Sequence, residues 1–173
     1  TGVVYDYLAR AKDASWFSGQ GTDPAVALVY NGADDDPNGT AKIVETATME
    51  NGAKSGKILL TYPKRVDNGY VYGVYPAYLV QGGDHFRANL GFLIPSGETS
   101  CGTGKAIFQL AYKDGEAVKV LREWGQSCDG NLPLVDHDLS SLAGKSVQFV
   151  LVLRADGTSA DDWAVWNSAR IEH

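Results

Sequence analysis

The chain is divided into short runs rich in β-branched and aromatic residues, and pairs of turn-forming residues separate them. Asp-Gly pairs at 114–115 and 156–157 are strong hairpin signals because both residues tolerate positive φ angles. The one segment of helical composition, Tyr5–Ser15, has a weak apolar stripe. The pattern predicts an all-β fold, a β-sandwich of about eight to ten strands with jelly-roll topology that forms a single domain over residues 1–173. The runs predicted to be strands are Ala25–Tyr30, Lys57–Tyr62, Gly69–Val80, Phe86–Ile94, Ala106–Tyr112, Ala117–Trp124 and Val147–Arg154.

The C-terminal segment has the clearest strand pattern. Ser146–Arg154 is apolar on both alternating faces, which is typical of a strand buried on both sides. An Asp156-Gly157 turn follows, and Asp161–Ile171 forms a second, aromatic and acidic run. We expect these two strands to form a hairpin that closes the sandwich and presents a surface on which sugars bind.

Composition excludes several classes of partner. The formal net charge of −6 argues against nucleic acid, because contacts to phosphates need a basic face. The longest apolar runs, Val147–Leu153 and Ala25–Tyr30, are far shorter than the ~20 residues of a membrane span, so no membrane insertion is expected. The length of 173 residues suffices for a hydrophobic core without help from a metal.

The two cysteines, Cys101 and Cys128, lie in polar segments rich in glycine and serine. Free buried cysteines usually occur in apolar strands, so this setting favours a disulfide formed in an oxidising, extracellular compartment. Two unlinked thiols in a cytosolic protein are the alternative.

The segment Asp34–Glu45 fits the calcium-loop spacing D-x-D-x-N-G-x5-E. Adjacent aspartates repel one another unless a cation lies between them. Pro37 and the strand-like flanks depart from the usual helix–loop–helix setting, so a solvated acidic turn remains the alternative. The predicted ligands of a structural Ca²⁺ are Asp34, Asp36, Asn38, Thr40 and Glu45, and no organic cofactor is predicted.

Aromatic residues beside polar ones suggest a sugar-binding surface. Aromatic rings pack against the apolar faces of sugar rings, while carboxylate and guanidinium groups bind sugar hydroxyls. Each candidate also has a structural interpretation, as a core aromatic or as an ion pair that joins strands. The candidate ligand-binding residues are Trp16, Tyr70, Tyr72, Tyr75, Asp84, Arg87, Arg122 and Trp124.

Catalytic motifs of hydrolases and nucleotide-binding enzymes are missing from the sequence. It contains no G-x-S-x-G and no H-E-x-x-H, and Ala106 follows Gly104-Lys105 where a phosphate loop requires serine or threonine. Two carboxylates are enough for a glycosidase, and Glu98, Glu116 and Glu123 are candidates, but their spacing selects no pair.

Three segments carry a family resemblance. Phe86–Gly91 matches a strand motif F-x-A-x-x-G, Ala106–Leu110 follows it as a V-x-F-x-V-like strand, and Asp161–Ile171 matches a terminal motif D-x-A-D-W-A-D-A-R-L. Together they resemble the NPCBM-type carbohydrate-binding modules, which are galactose-binding-like β-sandwiches, over about residues 80–171. The resemblance implies an accessory domain that binds glycans through loops at one edge and holds a structural calcium. It implies a framework role for Asp162, Trp163 and Arg170, with the tryptophan buried, whereas Trp166 replaces the family's aspartate.

The sequence therefore favours a non-catalytic carbohydrate-binding module, monomeric and part of a larger secreted or cell-surface protein, with a polysaccharide or oligosaccharide as its partner. One alternative is a structural or adhesive extracellular domain that binds protein or acts as a spacer. Another is a small jelly-roll polysaccharide hydrolase or lyase.

Overall fold

A computed structural model describes residues 2–173 of the chain. Strands account for most of the secondary structure, and one short helix, α1 (Tyr7–Arg10), and two 3₁₀ turns accompany them. The strands are β1 (Val3–Asp6), β2 (Ser15–Gln20), β3 (Val26–Ala27), β4 (Thr40–Val44), β5 (Thr48–Met49), β6 (Ile58–Tyr62), β7 (Gly69–Val74), β8 (Tyr78–Leu79), β9 (His85–Ile94), β10 (Lys105–Asp114), β11 (Ala117–Ser127), β12 (Leu134–Asp138), β13 (Ser146–Val147), β14 (Phe149–Ala155) and β15 (Ala164–Glu172).

The strands form two large antiparallel sheets. Sheet A has the order β12-β9-β15-β6-β4, with β1 and β5 paired to β15 and β9. Sheet B has the order β11-β10-β14-β7-β2-β3. The chain passes repeatedly from one sheet to the other, as in a jelly roll, and the predicted all-β sandwich is confirmed.

The main core lies between the sheets and is built from alternate residues of each strand. Trp166 of sheet A is fully buried, its indole N–H donates to Thr61 Oγ1 at 3.2 Å, and its ring meets the Phe108 ring of sheet B at 5.1 Å. Phe86 and Phe149 are buried in the same cluster. A smaller apolar cluster that includes Leu60, Leu93 and Val165 lies on the outer face of sheet A. Among the described residues, no helix is long and apolar enough to span a membrane.

Two predicted elements differ from the structure. In the segment of helical composition, Tyr5–Ser15, the helix is limited to α1 and one 3₁₀ turn, because β1 and β2 occupy the ends of that segment. The expected C-terminal hairpin is wrong, since β14 pairs with β10 and β7 of sheet B whereas β15 pairs with β9, β6 and β1 of sheet A. The Asp156-Gly157 turn thus passes from one sheet to the other. The Asp-Gly hairpin at 114–115 does join paired strands, β10 and β11.

The terminal motif has a framework role in part. Asp162 is fully buried and its Oδ1 accepts a hydrogen bond from Lys105 N at 2.9 Å, which fixes the start of β10 against the turn before β15. Arg170 lies at a bulge of β15, where it donates to Glu172 at 2.7 Å and to Ser168 O at 2.8 Å. Trp163 is only partly buried, on the outer side of sheet A, so the expectation of a buried tryptophan there is wrong.

The predicted disulfide between Cys101 and Cys128 is present, with Cα atoms 5.7 Å apart. It joins the residues just before β10 and just after β11, at the open end of that hairpin.

We expect that replacing both cysteines by alanine lowers the free energy of unfolding by about 3.5 kcal/mol, because the bridge closes a 27-residue separation in the unfolded chain. Urea unfolding of the wild type and variant, with and without reductant, measures this. A urea midpoint of the wild type that is the same with and without reductant would contradict this expectation.

The buried Asp162 makes stability depend on pH. Burial raises the pKa of its carboxyl to about 7, and Asp161 and Asp156 add to the effect, although the hydrogen bond from Lys105 N opposes it. The ordinary pKa of this carboxyl is 3.8, so its contribution to stability is fully present below that pH and is lost as the pH rises through about 7. We expect Asp162→Asn, which keeps the acceptor for Lys105 N, to remove this component. Urea unfolding of both proteins at pH 5 and pH 8 measures it, and equal pH dependence in the two proteins would refute it.

Candidate functional site

The outer face of sheet B carries a continuous row of side chains across five strands. Phe17 on β2 pairs in register with Tyr72 on β7, and Tyr72 pairs with Val152 on β14. Val152 pairs with Gln109 on β10, which in turn pairs with Glu123 on β11. Directly paired residues lie on the same side of a sheet. With strands about 4.8 Å apart, the row spans roughly 19 Å.

Three aromatic rings lie close together at one end of this row, those of Phe17 and Tyr72 and that of Tyr70 beside them. The rings of Phe17 and Tyr72 have centroids 5.2 Å apart and planes inclined by 27°. The rings of Tyr72 and Tyr70 are 5.9 Å apart at the same inclination. The end of the Tyr70 side chain lies over Gly19, where a Cβ atom would come within 2.5 Å of its hydroxyl oxygen. The missing side chain at residue 19 therefore allows the third ring to lie against the sheet.

The tyrosine hydroxyl groups of this surface are open to a ligand. Among residues 2–173, neither Tyr70 nor Tyr72 has a hydrogen-bond partner for its hydroxyl, whereas Tyr62 donates to Ser159 O at 2.6 Å. Burial raises the pKa of the Tyr72 hydroxyl above its usual value, and the neighbouring Tyr70 adds a smaller effect in the same direction. The hydroxyl of Tyr72 thus stays protonated at neutral pH and can donate a hydrogen bond.

Polar groups border the rings on the side of β14 and β10. Arg154 pairs in register with Tyr70, and within the described chain its guanidinium has no carboxylate within ion-pair distance. Gln109 Nε2 donates to Glu123 Oε2 at 2.9 Å, which leaves the amide oxygen and the second carboxylate oxygen as acceptors. Val118 and Val120 complete a shallow depression of about 280 Å³ over these residues. The face thus combines stacking surface, donors and acceptors.

Two residues predicted to bind a ligand lie in the core. Trp16 is 3% exposed, and its indole N–H donates to Ala11 O at 3.0 Å. The Trp16 ring occupies the space left by Gly73, its partner in register, where a Cβ atom would lie 2.8 Å from the indole. Tyr75 is fully buried and its ring contacts the Tyr7 ring at 4.9 Å. The prediction that Trp16 and Tyr75 contact a ligand is therefore wrong.

The predicted pair of Asp84 and Arg87 does not form. Asp84 is fully buried and accepts hydrogen bonds from Gln81 N and the Tyr78 hydroxyl, both at 2.8 Å. Burial opposes ionisation of Asp84, but these donors and His173 outweigh it and lower the pKa of the carboxyl. Arg87 instead donates to Asp136 at 2.8 Å and pairs with Glu172. Both residues join structural elements.

Trp124 and Arg122 lie at the side edge of the sandwich. The Trp124 ring stacks on the buried Phe86 at 6.1 Å with planes inclined by 22°, so one of its faces is occupied. The Arg122 guanidinium lies 5.9 Å from the centre of the Trp124 ring. Since Trp124 pairs with the core residue Phe108, it lies on the inner side of sheet B, away from the row of Tyr72.

The predicted calcium ligands are not gathered together. Asp34 pairs with Lys42, and the Oδ1 of Asp36 accepts from Asn38 N at 2.8 Å. Thr40 begins β4 and its hydroxyl donates to Ala33 O at 2.9 Å. Glu45 lies beyond the end of β4, 4.0 Å from Lys57. The three carboxylates do not have ligand atoms within 4.8 Å of one another, so calcium binding here stays a prediction that requires the loop to rearrange.

Among the described residues, one group of potential metal ligands does converge, Glu50 with Cys101 and Cys128. Both sulfur atoms belong to the disulfide. The Glu50 carboxylate accepts hydrogen bonds from the backbone N–H groups of Phe92, Asp129 and Gly130 at 2.8–2.9 Å. Glu50 therefore holds the β11–β12 loop against β9, and both of its carboxylate oxygens already accept hydrogen bonds.

Sequence reasoning found part of the outer face of sheet B and missed the rest. Tyr70 and Tyr72 were identified because alternate residues of one strand share a face. Phe17, Gln109 and Arg154 come from three other strands, and only the pairing of those strands brings them to the same face. The alternation within β7 also excludes Tyr75, which shares the odd-numbered, buried face with Val71 and Gly73.

Comparisons with known proteins find similarity only to solved structures, at low sequence identity. No protein-family model matches the chain, and no curated protein has a significantly similar sequence. One solved structure with a similar fold holds the CBM22-1–GH10 modules of Clostridium thermocellum xylanase 10B with xylohexaose, at 14% identity and a TM-score of 0.47 over 98% of this chain and 28% of that one. Another is TmCBM61 with β-1,4-galactotriose, at 12% identity and a TM-score of 0.48 over 91% and 88%. At these values of identity and TM-score, neither structure assigns a ligand to this chain.

The four tryptophans differ in exposure, which quenching measures. Trp16 is 3% exposed and Trp166 is fully buried, whereas Trp124 and Trp163 are partly exposed. We expect acrylamide to quench the emission of Trp124 and Trp163 only. Trp124→Phe and Trp163→Phe variants identify the two contributions. Equal accessibility of all four tryptophans, or of none, would contradict the structure.

Proposed function

We propose that this chain is a non-catalytic, extracellular carbohydrate-binding protein that holds a glycan chain against the outer face of sheet B. The observation that supports this most directly is the in-register row from Phe17 to Glu123 with Tyr70 beside it, which combines three neighbouring rings with hydrogen-bonding side chains. Stacking on flat rings and hydrogen bonds to hydroxyl groups are the two interactions that a sugar ring offers.

The shape of the face favours an extended glycan over a single sugar. The row of side chains is roughly 19 Å long and open at both ends, so it offers contact to several consecutive rings. The rings of Phe17, Tyr72 and Tyr70 would support the apolar faces of the sugars. Arg154 would donate to hydroxyl oxygens, while Gln109 and Glu123 would accept from hydroxyl groups. A shallow and solvated face of this kind supports modest affinity, with Kd on the order of 10 μM to 1 mM.

The positions of two of the candidate acids, Glu116 and Glu123, do not favour the hydrolase alternative. Glu123 lies on the row, but Glu116 lies in the β10–β11 turn at the far end of the same strand. Seven residues of strand correspond to about 20 Å. A glycosidase needs its two carboxyl groups about 5–9.5 Å apart. These two carboxylates therefore do not form a pair suited to glycoside cleavage.

A binding experiment tests the proposal directly. A glycan array that includes xylan, galactan and glucan oligosaccharides identifies the ligand, and calorimetry with that ligand then measures its affinity. We expect Tyr72→Ala to weaken binding about tenfold, because removing the central ring of the three eliminates stacking worth about 1–1.5 kcal/mol. Arg154→Gln is expected to weaken binding to a similar degree through lost charge-assisted hydrogen bonds.

The matched control is Tyr30→Ala, which removes a half-buried tyrosine that stacks on Trp16 at 6.3 Å, away from the outer face of sheet B. Thermal unfolding of each variant verifies that the fold is kept. An array without hits would refute glycan binding, and equal losses from Tyr72→Ala and Tyr30→Ala would refute the assignment to this face.

A further inference from the structure

A second cleft, of about 410 Å³, lies on the opposite side of the molecule, on the outer face of sheet A. Its floor is apolar and comes from Val44, Leu60 and Leu93, which belong to the smaller apolar cluster. The loop between β4 and β6 forms one wall and Trp163 forms another. The volume lies at the lower end of the range for small-molecule sites, so the cleft suits a ligand of one or two rings.

The Trp163 side chain is fixed in position, and its N–H group is available. Its ring packs edge-on against the Tyr62 ring at 4.6 Å, and the Arg65 guanidinium lies 4.0 Å from the Tyr62 ring centre and 5.4 Å from that of Trp163. The indole N–H groups of Trp16 and Trp166 are bonded to protein oxygens, at 3.0 and 3.2 Å. Within residues 2–173 the indole N–H of Trp163 has no such acceptor.

The opposite wall of the cleft is also held in place. Thr46 Oγ1 donates to Ser55 O at 2.8 Å, and the backbone groups of Ala47 and Ser55 bond to each other at the same distance. A β-bridge joins Thr48 and Lys54, and Lys54 Nζ donates to Thr48 Oγ1 at 2.7 Å. The cleft is therefore preformed, which reduces the entropy lost on binding.

The net charge of the residues that line the cleft is opposite in sign to the net charge of the whole chain. Asp34, Lys42 and Lys54 are the charged residues that line it, so its net charge is +1 in a chain of net charge −6. Asp34 and Lys42 pair with each other. Within the described chain, Lys54 has no carboxylate within ion-pair distance, so two of its three ammonium donors are left for a ligand.

We propose that this cleft is a second ligand site, specific for a sugar ring that bears a carboxylate, such as a uronic acid unit of an acidic glycan. The apolar face of the ring packs on Trp163 and the carboxylate pairs with Lys54, next to an apolar floor that strengthens the charge interaction. The site shares no residue with the row of Tyr72, so it is independent of the function proposed for sheet B.

Titration of the ¹⁵N-labelled protein with trigalacturonate, followed in ¹H–¹⁵N correlation spectra, tests the site. We expect a saturable shift of the Trp163 indole N–H signal with trigalacturonate, and no such shift with its methyl ester, which lacks the charge. Lys54→Gln is expected to weaken binding about tenfold through the loss of charge-assisted hydrogen bonds. Because Lys54 is exposed, this variant avoids the unfolding that loss of the packed Trp163 ring risks.

Lys145→Gln is the matched control, since it removes the same charge from an exposed turn outside the cleft. Binding that survives Tyr72→Ala and Lys145→Gln but not Lys54→Gln supports the proposal. Equal shifts with the ester, equal losses from both lysine variants, the same shift with sodium acetate alone, or no shift at all would overturn it. None of these results affects the tests on the outer face of sheet B.

Discussion

The register of sheet B is the constraint on which both the core and its outer face depend. In the central strands of this sheet, buried and outward residues alternate where the row crosses them, so the packing that fixes Phe108, Leu151 and Val71 inside also fixes Gln109, Val152 and Tyr72 outside. A slip of one residue in any pairing would bury polar side chains and break the row. The apolar core therefore positions the candidate site at no additional cost, and the aromatic surface is as rigid as the sheet that carries it.

Glycine contributes to this arrangement at two places where another backbone group or ring approaches closely. Gly73 leaves room for the Trp16 ring on the inner face of sheet B, and Gly19 leaves room for the end of Tyr70 on the outer face. Both lie where β2 and β7 pair, so this one pair of strands carries an aromatic ring on each side. At Gly73 the ring that approaches the backbone is therefore one of the protein's own and not that of a ligand.

The sequence was sufficient to predict those features that depend on a single strand or a local segment. Alternation in Gly69–Val74 identifies Tyr70 and Tyr72, and the setting of the cysteines identifies the disulfide. The hairpin predicted at Asp156-Gly157 was wrong because a turn residue specifies a reversal and not the sheet that receives the next strand. Which aromatic residues are buried also depends on partners distant in sequence. Trp163 and Trp166 belong to the same motif, yet their surroundings differ. Trp166 is enclosed in the core by Thr61 and Phe108, whereas Trp163 lines a cleft on the surface.

The two candidate sites lie on the outer faces of opposite sheets, and this geometry limits how they act together. A single stiff glycan chain cannot contact both faces at once, because the core of the sandwich separates them. Simultaneous occupation therefore joins two glycan chains, or two distant parts of one flexible chain, and the second contact benefits from a raised effective concentration only in a dense glycan. Two sites of modest affinity on opposite faces thus favour retention within a polysaccharide network over tight binding to an isolated oligosaccharide. Loss of either site would reduce that retention without changing the affinity of the remaining site.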